Sequence, residues 1–253
     1  MLAAILRQNP RIHAAMSSPV GSLITAMLRQ MSQDNEAGLF IDDAQRQAVL
    51  SAVFDAYYRA IPAELVIDTN RLWCSKLPLL ATLFPRARVI ACVRHVPWIL
   101  DSIERLIRRN KLEPSKIFNF EPAGTVYSRV EGLGAGGGMV GFAWNALREG
   151  FYGEEAERMM LLTYETLTTD PDRAIDAVYD FIGEPRFGHD FNDLNYDAKE
   201  FDARLGTPGL HDVGRSVSAR TRQTILPPDL FHRVENDSFW RDPTLNTRGV
   251  LVV

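Results

Sequence analysis

Arg94 ends an apolar run, Ala87, Val89, Ile90, Ala91 and Val93, and Ser102 follows eight residues later in a stretch with helical spacing. A guanidinium forks onto the oxygens of a phosphate or sulfate, and a hydroxyl from the next helix supplies a further donor to the same anion. Open α/β sheets hold their ligands at the carboxyl ends of parallel strands, so the pair reads as an anion clamp. Taken alone, it has a second reading: Arg94 pairs with a surface carboxylate and Ser102 bonds back within its own helix.

The elements that must position this pair are legible from periodicity. Met1–Gln8 has a helical apolar pattern that stops before Asn9-Pro10, because a residue preceding proline is pushed out of the helical region. Ser17-Ser18-Pro19 starts a second helix through Val20, Ile24, Met27 and Met31, and a third runs from Asp42 to about Arg59. Leu65–Ile67 reads as a buried strand, Lys76–Phe84 as a helix, Ala87–Val93 as a strand and Pro97–Asn110 as a helix. That alternation is the βαβ rhythm of a parallel sheet. Lys111–Gly138 lacks periodicity and reads as a long loop or lid, the expected acceptor wall, before a helix from Met139 to about Gly150. Met159–Thr163 is a third strand, and Asp170-Pro171 starts a helix ending at Gly183. Beyond Pro185 the chain is polar and loop-rich through Arg222, with a short helix near Pro228–Glu235.

With 253 residues, 46% of them hydrophobic, the chain can bury a substantial core, and one domain over residues 1–253 is expected. A net charge of −4 argues against a protein held to nucleic acid by general phosphate attraction. Cys74 and Cys92 lie in apolar segments without metal-ligand spacing and read as reduced, packed thiols. No apolar run approaches the ~20 residues that span a bilayer, so a soluble cytoplasmic protein is expected.

Several tempting features read as ordinary structure. Gly132, Gly134 and Gly137 satisfy a dinucleotide-type pattern, but Tyr127–Glu131 is a poor strand, so a flexible glycine loop is the better reading. A Walker GxxxxGK[ST] loop is absent, which disfavours a nucleotide kinase. The arginines Arg105, Arg108 and Arg109 read as a solvated helix face, with Asp101 and Glu104 spaced for local ion pairs.

The run Leu83-Phe84-Pro85-Arg86-Ala87-Arg88-Val89-Ile90-Ala91-Cys92-Val93-Arg94, with Ser102 beyond it, resembles the 3′-phosphate-binding segment of one enzyme family. These are the sulfotransferases that use 3′-phosphoadenosine 5′-phosphosulfate (PAPS); the likeness is to bacterial-type members, distantly similar to the tyrosylprotein enzymes. Tyr164-Glu165-Thr166-Leu167, before Asp170-Pro171 and Phe181-Ile182-Gly183, is similar to the family's second signature, and Leu2–Pro10 to the helix after its 5′-phosphosulfate loop. The resemblance implies an α/β fold, a mainly parallel sheet flanked by helices. It also implies sulfuryl transfer from PAPS to an acceptor hydroxyl or amine, with 3′,5′-adenosine bisphosphate as product and no metal required.

By the same resemblance, Arg94 and Ser102 hold the 3′-phosphate and Tyr164 contacts the adenosine, where the plain alternative for Tyr164 is a strand-end aromatic. Arg215 sits where related enzymes carry basic residues near the nucleotide. In-line transfer requires a cation by the 5′-phosphate; Arg71 is the candidate and Lys76 the alternative, against a solvated loop arginine. An acceptor hydroxyl also needs a general base, for which His13, His95 and His211 are available and none is assigned. The acceptor, small or peptidyl, is not readable, and oligomeric state is open, with a homodimer among the alternatives.

The family's strand and Pro-x-Arg-Ser-Gly-Ser/Thr-Thr-like loop precede the first helix, and this sequence opens at that helix. Two expectations follow: an upstream extension carrying that strand and loop, or a degenerate, non-catalytic nucleotide-binding or scaffold protein. On either, the chain as written is expected to bind PAPS weakly.

Overall fold

A computed structural model describes residues 1–32, 35–112 and 124–253. The described helices are α1 (Leu2–Leu6), α2 (Val20–Gln30), α3 (Asp43–Tyr58), α4 (Leu77–Leu83), α5 (Val96–Arg109), α6 (Val126–Gly134), α7 (Met139–Tyr152), α8 (Tyr164–Thr169), α9 (Pro171–Ile182), α10 (Lys199–Arg204) and α11 (Pro228–Arg233). The strands are β1 (Ile12–Ala14), β2 (Leu65–Ile67), β3 (Val89–Val93), β4 (Met159–Thr163) and β5 (Leu251–Val252).

Every pairing among the described strands is parallel, as expected, but two sheets form where one was anticipated: β1-β2, and β3-β4-β5. β1 and β5, of three and two residues, are too short to leave a periodic signal in sequence. β5 is secured by bonds from Thr163 N to Val253 O (2.7 Å) and from Val253 N to Leu161 O (2.9 Å).

β4 is buried on both faces, which is why Met159-Met160-Leu161-Leu162 is continuously apolar rather than alternating. Met159 and Leu161 join one core with Val89, Ala91, Val93, Leu100 and Phe151; Met160 and Leu162 join a second with Ile5, Leu6, Ile175, Val178 and Tyr179. In β3 the burial alternates, and Cys92 falls on the open side. Both cysteines are free, but Cys92 is exposed, correcting the expectation of two packed thiols. Burial pushes the Cys74 thiol up to about 11, so it stays protonated at neutral pH.

The stretch read as one aperiodic loop is partly helical. Residues 113–123 of that reading lie outside the described residues, while α6 carries Gly132 and Gly134 in regular helix. The glycines set how closely chain segments meet: a Cβ on Gly141 in α7 would stand 2.1 Å from the Ala135 carbonyl oxygen. Gly141→Ala is therefore expected to force α6 from α7 and lose ~1–3 kcal/mol despite alanine's better helix propensity, measurable by urea unfolding.

The acids of α5 are not on a solvated face. Glu104 is 1% exposed and accepts from Arg129 Nη2 (2.6 Å), Arg129 Nε (2.9 Å) and Arg108 Nε (2.8 Å), tying α5 to α6. Burial pushes its carboxyl up, but the bonds and charges of Arg129 and Arg108 outweigh it and hold it below the usual glutamate range.

Candidate functional site

Strand register brings two of the expected residues together. Val93 pairs with Thr163 across β3 and β4, so the next residue of each strand, Arg94 and Tyr164, are neighbours at the carboxyl edge of the sheet. The Arg94 guanidinium carbon lies 4.1 Å from the Tyr164 ring centroid, stacking distance for a cation on an aromatic face. α5 then returns Ser102 to the same place: Arg94 Nη1 donates to Ser102 Oγ at 3.3 Å, while that hydroxyl donates to Trp98 O at 2.9 Å.

A fourth member comes from far along the chain. Arg222 Nη2 donates to Ser102 Oγ at 2.7 Å and lies 2.7 Å from Asp101 Oδ2. Its Nε is buried with no hydrogen-bond partner, an unmet donor beside a hydroxyl and a second guanidinium. Asp101 is wholly buried and also accepts from Arg105 Nε (2.9 Å), Thr224 Oγ1 (3.1 Å) and Ile225 N (2.8 Å), fastening the segment that carries Arg222 to α5. Burial holds the Arg94 guanidinium below the usual arginine value, and the charge of Arg222 acts in the same sense, against pulls from Tyr164, Glu165 and Asp101. It remains protonated at neutral pH. Arg105 and Arg222 thus share the Asp101 carboxylate while Arg94 and Arg222 converge on Ser102, a concentration of donors that suits an anion with several acceptor oxygens.

The pattern described as Sulfotransferase family matches residues 1–189. The chain belongs to the sulfotransferase family. A solved structure described as Sulfotransferase Domain from the Curacin Biosynthetic Pathway is similar to this chain at 15% identity and a TM-score of 0.47, covering 74% of this chain and 70% of its own. No curated protein matches it. Arg94, Ser102 and Tyr164 fall within the matched part of the sulfotransferase; Arg222 falls beyond it. Among the described residues no helix is long and apolar enough to cross a membrane.

The remaining sulfotransferase candidates are dispersed. Arg215, placed near the nucleotide by resemblance, is instead 82% exposed and paired with Asp193 at 3.0 Å. Arg71 and Lys76 open and close a short 3-10 turn after β2, and Arg71 lies over the Phe142 ring at 5.8 Å.

Of the histidines, His13 meets Tyr58 edge-on at 6.0 Å between ring centroids, and His95 Nε2 lies 3.1 Å from Glu235 O. His211 Nδ1 is 2.5 Å from Asp202, which is 1% exposed. That pair adjoins the far end of α5: Asn110, the residue after the helix, bonds the neighbouring loop at Pro208 O, eight residues or ~12 Å along the helix from Ser102.

Proposed function

We propose that this chain grips the 3′-phosphate of PAPS with Arg94, Ser102 and Arg222 and delivers the sulfuryl group to an acceptor hydroxyl or amine. The observation that supports it is the convergence of two guanidinium groups on one hydroxyl, with a buried Arg222 Nε left unpartnered. When bound, PAPS supplies an activated sulfuryl group and departs as 3′,5′-adenosine bisphosphate. On this reading Arg94, over the Tyr164 ring, gives its free N–H groups to phosphate oxygens, Arg222 gives Nε, and Tyr164 contacts the adenosine.

The test is calorimetry with 3′,5′-adenosine bisphosphate against 5′-AMP. The bisphosphate is expected to bind at least ~10-fold tighter, because 5′-AMP leaves the charged donors unmet. Equal affinity would remove the 3′-phosphate assignment. The alternative is a non-catalytic nucleotide-binding role. Binding without transfer of label from PAPS to any of a broad hydroxyl and amine panel would establish that role.

A further inference from the structure

A pocket of about 400 Å³ is lined by Gly21, Ser22, Thr25, Ala26 and Arg29 of α2, by Asn70, Arg71 and Leu72 after β2, and by Phe142 of α7. It stands past the carboxyl ends of β1 and β2, the edge at which parallel strands present ligands. We infer that this pocket takes the acceptor, and that it selects an acceptor whose apolar body bears a carboxylate. The inference rests on the sulfotransfer reading for the word acceptor; the binding selectivity stands on the pocket itself.

Charge carries the inference first. The lining holds two guanidinium groups, Arg29 and Arg71, and no acidic residue. Among the described residues neither arginine has an ion-pair partner, whereas Arg11, Arg46, Arg105, Arg108, Arg129 and Arg158 each have one. The Asn70 amide adds a donor, since its Oδ1 is taken by Leu72 N at 3.0 Å and its Nδ2 has no acceptor. Beside them Ala26, Leu72 and Phe142 give apolar surface, with Arg71 over the Phe142 ring at 5.8 Å. A few converging polar groups on an apolar wall, at this volume, suit a small molecule with one charged end.

The walls are also fixed in advance. Asp68, directly after β2, accepts from Ser18 Oγ (2.5 Å), Tyr58 OH (2.5 Å) and Trp73 Nε1 (2.8 Å). One carboxylate thereby ties the entry to α2, the end of α3 and the turn bearing Arg71. Gly21 lets Asn70 lie against α2, since a Cβ there would stand 2.5 Å from Asn70 Nδ2. Such pre-organisation lowers the ordering cost of binding.

The probes are 4-hydroxyphenylacetate and its neutral counterpart 2-(4-hydroxyphenyl)ethanol, titrated calorimetrically into the full chain. The acid is expected to bind at least ~10-fold tighter than the alcohol, and Arg29→Gln to shrink that preference several-fold while leaving the affinity for 3′,5′-adenosine bisphosphate unchanged. Equal binding of the two probes, or a preference undiminished in Arg29→Gln, overturns the inference. Loss of bisphosphate affinity in that variant also overturns it, by moving Arg29 and the pocket to the donor. Failure of the donor reading looks different: the unaltered chain then shows no bisphosphate binding, whatever the probes do.

Discussion

Asp101→Ala is expected to cost about 3 kcal/mol of stability, the scale of removing one partner from a buried ionic network. The carboxylate is fully buried, and its loss strands the Ile225 N–H together with the inward N–H groups of Arg105 and Arg222. Burial pushes this carboxyl up, but the Ile225 N–H, Arg105, Thr224 and Arg222 together hold it below the ordinary aspartate value. A depressed folded-state value contributes stability that is complete above the unfolded value, roughly pH 3.9, and fades as pH falls through the folded one. Urea unfolding of the two proteins should therefore show a wide gap at pH 7 that narrows below about pH 3.9. A gap of constant width would show that packing, not charge, holds the tail to α5.

Arg94→Ala and Arg222→Ala are each expected to weaken binding of 3′,5′-adenosine bisphosphate by ~1.5–3 kcal/mol, roughly 10- to 150-fold, the cost of one lost charged hydrogen-bonding group. Both side chains reach Ser102 Oγ, so the two losses should not add, and a double-mutant cycle would measure the coupling. Removing Arg94 also uncovers Tyr164, whose ring it lies against. Arg215→Ala is the matched control: its guanidinium is spent on Asp193 at the surface and the affinity should hold. Unchanged binding in Arg94→Ala would remove the donor-site assignment.

Half of this cluster was legible in the sequence. β3 announces itself as an apolar run, α5 as a 3.6-residue pattern, and the eight-residue step from Arg94 to Ser102 places both on one edge. Tyr164 came from the resemblance of its strand-end motif, and its adjacency to Arg94 needed the register of β3 on β4. Arg222 left no local trace, because its partner is 120 residues away and nothing around it repeats. One signal was available: Pro97, Leu100, Asp101 and Glu104 share a helix face by the i, i+3, i+4, i+7 rule, and two carboxylates beside a buried leucine require distant cations. Reading them as pairs for their own helix accounted for Arg105 and Arg108 but not for Arg129 and Arg222.

The 120-residue reach from Ser102 to Arg222 also orders events during synthesis. At ~5–20 residues per second, a ribosome releases Arg222 roughly 6 to 24 s after α5 has emerged. In that interval β3, α5 and Arg94 can assemble, yet Asp101 has only Arg105 of its charged partners and Ser102 has Trp98 and Arg94 but not Arg222. The cluster proposed to grip a phosphate is thus completed late, when the carboxyl-terminal portion of the chain arrives to close it.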